Sequence, residues 1–172
     1  KELNVTEDMS LEPLTDYSRF KGDCEKILNN YKTDEFITTT IRPSTVCGFA
    51  KRQRLDLVVN ILTNHAYHKR EINVFGGDQL RPNVHIDDMV RSYLAVLDAD
   101  SKKINGEIFN VGYRNQSVNE LASNVKEVIG DDVKIVNTIT NDNRSYHVSC
   151  QKIKNVLGFE TKFTIKDAVK DL

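Results

Sequence analysis

An α/β fold is what this chain predicts. Short β-branched or apolar runs lie at residues 36–41, 72–75, 107–111 and 133–136. Between them come segments whose apolar residues recur every three or four positions. Gly, Pro, Asn or Asp mark nearly every junction. Strands alternating with amphipathic helices imply a parallel sheet covered on its faces. With 172 residues, 39% hydrophobic and 28% charged, the composition suffices for a core, and a net charge of −1 gives no field favouring nucleic acid or an anionic membrane.

In order, residues 1–15 are polar, contain Pro13, and read as a surface loop in which Thr6 and Ser10 are ordinary loop residues. Thr15 or Asp16 caps a helix whose apolar face is Tyr17, Phe20, Cys24, Ile27, Leu28 and Tyr31. Gly22 inside it marks either close packing or simple tolerance. The run 36–41 suits a buried parallel strand, and residues 42–48 a loop beyond its carboxyl end, where ligands of open α/β sheets bind. Residues 50–67 form an amphipathic helix with Lys51-Arg52-Gln53-Arg54 at its entrance, an arrangement that opposes the helix dipole unless an anion lies nearby. Residues 72–75 are a strand, and Asp87 N-caps a helix running to Leu97. His85 is read as structural, bonded to backbone or to Asp87 or Asp88. After the strand at 107–111, Ser117 and Glu120 make a capping box for a helix that Gly130 stops. Thr164 caps the last helix.

The chemistry centres on Tyr17-Ser18-Arg19-Phe20-Lys21. Four-residue spacing on a helix puts phenol and ammonium on one face. A cation beside a phenol favours the phenolate, which can take a proton from an alcohol. An aromatic packing edge with a solvated lysine accounts for the same spacing, so both readings stand here. Cys24, Cys47 and Cys150 fit neither a zinc pattern nor a disulfide framework and read as reduced, cytoplasmic thiols. No metal site is expected, and no apolar run approaches the ~20 residues that span a bilayer.

The acidic–Pro approach to Tyr17-x-x-x-Lys21, the strand ending in Arg42-Pro43, the segment 44–48, Gly76-Gly77-Asp78 with Arg81 and His85, the Phe109-Asn110-Val111-Gly112 run and Asn141-Asp142-Asn143-Arg144 together resemble the extended short-chain dehydrogenase/reductase family, the nucleotide-sugar epimerases and dehydratases. No glycine-rich dinucleotide turn precedes them, so the expectation is a C-terminal portion of a longer protein. The resemblance implies the C-terminal part of a Rossmann-like doubly wound parallel sheet (1–48, with about 87–112 returning to it) and a small α/β substrate-binding lobe (49–172). It implies Tyr17 and Lys21 as catalytic pair, with Pro43 and Thr45 joining them against NAD (NADP the alternative). Thr45, Arg54, Arg81 and Arg144 are implied contacts to a nucleotide-diphosphate sugar. Thr45 and Cys47 depart from the family's usual Asn and Tyr, and Pro82 from its Asp. A cytoplasmic homodimer through a four-helix bundle including the Tyr17 helix is implied as well. The competing expectation is a non-catalytic binding or interaction lobe. A chain lacking the first strands of the sheet is expected to expose a sheet edge and apolar helix faces.

Overall fold

A computed structural model of the chain describes residues 4–13, 15–140 and 145–172. Helix α1 (Asp16–Tyr31) begins at Thr15, whose side chain accepts from the Ser18 amide. Gly22 is the buried residue of α1, and a Cβ there would come within 3.0 Å of Leu11, which is the close-packing explanation of that glycine. Strand β1 (Thr39–Pro43) is parallel to β5 (Glu107–Val111), with Thr39 opposite Glu107 and Pro43 opposite Val111. The apolar run thus becomes a strand three residues later than expected. Residues 33–36 are held in a turn through the Thr33 side chain, and pairing with β5 begins only at Thr39.

The segment expected as a loop after β1 contains a second strand, β2 (Thr45–Cys47), the outer member of a three-stranded sheet. Its neighbour is β4 (Leu80–His85), parallel to it, followed by β6 (Arg114–Ser117), antiparallel to β4. Three residues carry too little pattern to read as a strand; their hydrogen-bonding partner lies far along the chain. Helix α2 (Val58–Lys69) leads into β3 (Glu71–Phe75), which pairs in parallel with β7 (Lys134–Thr138). The helix expected from residue 50 starts eight residues later. Gln53 draws the preceding segment into a turn, its Oε1 accepting from the Ala50 amide and its Nε2 donating to the Gly48 carbonyl.

Helix α3 (Ile86–Leu97) is capped by His85, whose Nδ1 accepts from the Asp87 amide, so Asp87 lies in the first turn and is not the cap. The short α4 (Ser101–Ile104) precedes β5. Helix α5 (Val118–Ile129) has the expected Ser117–Glu120 capping box and ends at Gly130. Helix α6 (Gln151–Leu157) ends on the left-handed Gly158, and α7 (Ile165–Asp171) starts at Thr164. Buried Asp88 ties α3 to the segment before α7 by accepting from the Lys162 and Phe163 amides at 3.0 and 2.9 Å.

Two apolar cores result. One joins α2, β3, α5 and α7 through residues such as Val59, Ile72, Leu121 and Val169. The other gathers Val84, Met89, Val96, Phe109, Val111, Ile153 and Phe159 beneath β5. The opening segment is more than a surface loop. Val5 bridges Val148, and the buried Glu7 carboxylate accepts from the Asn110 amide at 2.8 Å. A buried amide needs such a partner, and a residue of β5 finds it here because the chain passes alongside.

Candidate functional site

Two features of the turn chemistry shape the site. Gly77, between β3 and β4, has φ +120°, a backbone state that side chains rarely adopt, and a Cβ there would overlap Asn119. Gly112, just past β5, leaves no room for a side chain beside Ser44, so the segments leaving β1 and β5 touch. The Ser44 amide donates to the Val111 carbonyl at 2.7 Å.

Tyr17 stands 73% exposed on the first turn of α1. Lys21 follows one turn later, on a groove of about 760 Å³ that it shares with Cys24 and Glu25 of α1, residues 39–41 of β1, and Tyr93 and Leu97 of α3. The exposed Tyr17 side chain lies within electrostatic range of Arg54. Hydrogen bonds of 3.1 and 2.6 Å to the two carboxylate oxygens of Asp56 hold the Arg54 guanidinium. That hydrogen-bonded pairing raises Arg54 above its usual pKa, Tyr17 adding a little, and lowers Asp56 below the usual carboxylate range. Buried Asn60 fastens the whole segment. Its Oδ1 accepts from the Gly48 amide at 3.3 Å and its Nδ2 donates to the Arg54 carbonyl at 2.8 Å.

Asp56 is also on the rim of a cleft of about 380 Å³ walled by Val58 and His65 of α2, Asn73 and Phe75 of β3, and Gln79 and Arg81 beside β4. Helix α2 begins at this cleft with no side chain capping its first amides, which leaves donors for an anion. The Arg81 guanidinium lies 5.6 Å from the centre of the Tyr146 ring and 3.3 Å from the Leu80 carbonyl. Apolar walls, a planar bidentate cation and uncapped helix amides together suit a planar base joined to phosphates.

Thr45 lies on β2 in register with Asn83, so both side chains leave the same face of the sheet. The Asn83 Oδ1 is buried and accepts no hydrogen bond among the described residues. Pro43 is exposed at the end of β1. The structure therefore connects Arg54, through Asp56, with the cleft that Arg81 lines. Lys21 faces the other groove. Arg144 lies outside the described residues.

Cys47, where the resemblance puts a tyrosine, is packed in the core and its thiol donates to the Val84 carbonyl. Burial pushes Cys47 up to about 12, and burial with the nearby Glu7 pushes Cys150 up to about 11, so both stay protonated and are poor nucleophiles at neutral pH. His85, Asp87 and Asp171 cluster closely enough to suggest metal ligands. However, His85 Nδ1 accepts from a backbone amide, which leaves the proton on Nε2 to be donated to Asp171 at 3.0 Å. Both ring nitrogens are thus engaged, and the histidine serves as a cap and a tie between β4 and α7.

Sequence reasoning missed Arg42, Glu25, Glu7 and Asn60. The one available signal was the extension of Tyr17-x-x-x-Lys21 by another four residues to Glu25, an anion on the same face whose partner a helix alone does not reveal.

A parallel α/β portion with a Tyr/Lys helix and a cleft edged by arginine places the chain among proteins with a Rossmann-like α/β fold. The family comparison makes this specific. The model of the NAD dependent epimerase/dehydratase family matches residues 2–112, and the chain belongs to that family. It is 28% identical over 174 residues to an uncharacterized UDP-glucose epimerase, YtcB, of Bacillus subtilis (strain 168), covering 98% of this chain and 54% of that one. It is 26% identical over 188 residues to a UDP-glucose 4-epimerase of Lactobacillus helveticus, covering 98% and 57%. The UDP-glucose 4-epimerase of Thermotoga maritima, solved with UDP-glucose, superposes with a TM-score of 0.81 at 26% identity, covering 99% of this chain and 56% of that one. The chain spans about half the length of the curated relatives it matches. The fold is the C-terminal part of the family's Rossmann-like α/β architecture. Among the described residues, no helix is long and apolar enough to cross a membrane.

Proposed function

We propose that this chain is the substrate-binding part of an NAD-dependent enzyme that oxidises a hydroxyl, at C4, of a nucleotide-diphosphate sugar. The observation that carries the proposal is Arg54 paired with Asp56 on the rim of the cleft that Arg81 lines, in a member of this family whose first helix carries Tyr17 and Lys21. Tyr17 is the base: its phenolate takes the proton of the sugar hydroxyl. Lys21, one turn further along α1, brings positive charge to the phenol from the neighbouring groove. The residues fit a nicotinamide nucleotide at its ribose end, since a phenol and an ammonium one turn apart on an exposed helix face offer paired donors. Pro43, Thr45, Tyr17 and Lys21 would hold it there. NAD, when bound, supplies the acceptor for the hydride leaving the same sugar carbon.

Arg81, Arg54 and Arg144 bind the diphosphate, and Thr45 orients the sugar. Binding energy from the phosphates then fixes the hydroxyl against Tyr17. The division into 1–48 and 49–172, with about 87–112 returning to the sheet, belongs to the same proposal. So do a cytoplasmic location and a homodimer built on α1.

The test is turnover of UDP-glucose by a full-length protein carrying this chain. Tyr17→Phe is expected to lower kcat at least ~100-fold with little change in substrate binding. Retained turnover in that variant overturns the proposal. A second reading, a binding lobe without turnover, is favoured by the outward apolar side chains of α1, Phe20, Ile27 and Tyr31. It predicts that UDP-glucose binds while cofactor absorbance never changes.

A further inference from the structure

Tyr17, Lys21 and Glu25 form a row at four-residue spacing along α1. A lysine and a free glutamate so placed attract each other, and a Lys21 ammonium paired with Glu25 would offer less positive charge to Tyr17. The structure shows Glu25 engaged elsewhere. Arg42 of β1 grips it with Nε at 3.0 and 3.2 Å from the two carboxylate oxygens and Nη2 at 2.7 Å from Oε2. Both side chains are largely sheltered, 20% and 18% exposed. The Nη1 of Arg42 donates to the Glu7 carbonyl at 3.4 Å, and the Glu7 carboxylate is itself taken by the Asn110 amide. This is a bidentate pair held from behind, a geometry that an exposed lysine does not displace.

We propose that Arg42 is a positioning residue that sequesters Glu25, leaving the charge of Lys21 for the Tyr17 phenol. The inference rests on the Tyr17–Lys21 role proposed above and adds a residue to it. The other charged or titratable groups around the row are accounted for. Asp16 pairs with Arg19 and Asp23 with Lys26 on α1, Arg54 pairs with Asp56 from the segment before α2, Cys24 and the α3 residue Tyr93 line the groove, and Glu107 of β5, in the hollow behind Glu25 and Arg42, pairs with Lys152. Of the anions among these, Glu25 alone is both four residues from Lys21 and on its groove.

The experiment is a titration of the chain labelled with ring-¹³C tyrosine and carboxyl-¹³C glutamate, followed by NMR, with Tyr17 assigned through Tyr17→Phe. Arg42→Ala is expected to raise the Tyr17 midpoint by about half a pH unit or more. Adding Glu25→Gln should return it toward the parent value. A folded Arg42→Ala chain with the parent midpoint overturns the inference. So does a double variant that stays raised, since the loss of arginine's own charge would then explain everything. If Arg42→Ala fails to fold, Lys21→Met decides: the Glu25 midpoint should stay where it is, and a shift there overturns the inference. In that same variant the Tyr17 midpoint should rise. If it does not, the Tyr17–Lys21 role itself fails, whatever Arg42 does.

Discussion

Asn60 shows how much one amide can hold. It pairs with backbone at both Gly48 and Arg54, spanning the segment that leads to the Arg54–Asp56 pair. Asn60→Leu removes both bonds inside the protein, leaving an amide and a carbonyl without partners at a cost of about 1–3 kcal/mol. We expect a lower urea midpoint and, because Arg54 is released, several-fold weaker UDP-glucose binding by calorimetry. Unchanged binding would separate Arg54 from the ligand. Tyr17 and Lys21 were legible at this scale because both lie on one helix, where spacing alone sets the shared face. Arg42 and Glu25 are 17 residues apart on different elements, and Glu7 and Asn110 are 103 apart. No periodicity links such residues.

Among the elements, helix ends were the most readable feature. Ser117, Glu120 and Gly130 sit where the pattern put them, because a cap is a bargain among residues three or four apart. Ser117→Ala should cost about 1 kcal/mol in thermal or chemical denaturation. The box also titrates. The Ser117 amide, and then its hydroxyl, hold the Glu120 carboxyl below its ordinary range. A lowered folded-state pKa means that this contribution is present above the unfolded value and disappears as pH falls through the folded one. Stability should therefore drop below about pH 4 more steeply in the parent chain than in Glu120→Gln, and identical acid profiles would refute the assignment. Strands β2 and β4 were less visible. Thr45–Cys47 is extended because Asn83–His85 lies beside it, and His85 displaced Asp87 as cap because β4 delivers its ring to the helix start.

For the whole molecule, the two cores bury most of β3 and β5 but leave β1 with one unpaired edge among the described residues. Among the described residues β1 pairs only with β5. Large apolar side chains stand outward on both flanking helices, Phe20, Ile27 and Tyr31 on α1 and Val90, Leu94 and Leu97 on α3. Such a surface loses water contact favourably against any apolar partner, so this chain in isolation should self-associate. Sedimentation velocity should show concentration-dependent association, reduced by Phe20→Glu together with Leu97→Glu at unchanged melting temperature, because both positions are exposed. A strictly monomeric parent at tens of micromolar would contradict this.

From residue order alone came the α/β class, the main helices, the caps at Thr15, Ser117 and Thr164, the one-turn spacing of Tyr17 and Lys21, and the resemblance that the family comparison bears out. These depend on neighbours within a turn or on a recurring period, which the chain displays directly. Which loop became β2, how Asp56, paired with Arg54, came to rim the cleft that Arg81 lines, and that Arg42 claims Glu25 were decided only when distant segments packed together. Hydrogen bonds and ion pairs act over a few ångströms in space, and proximity in space is what the linear order leaves unstated.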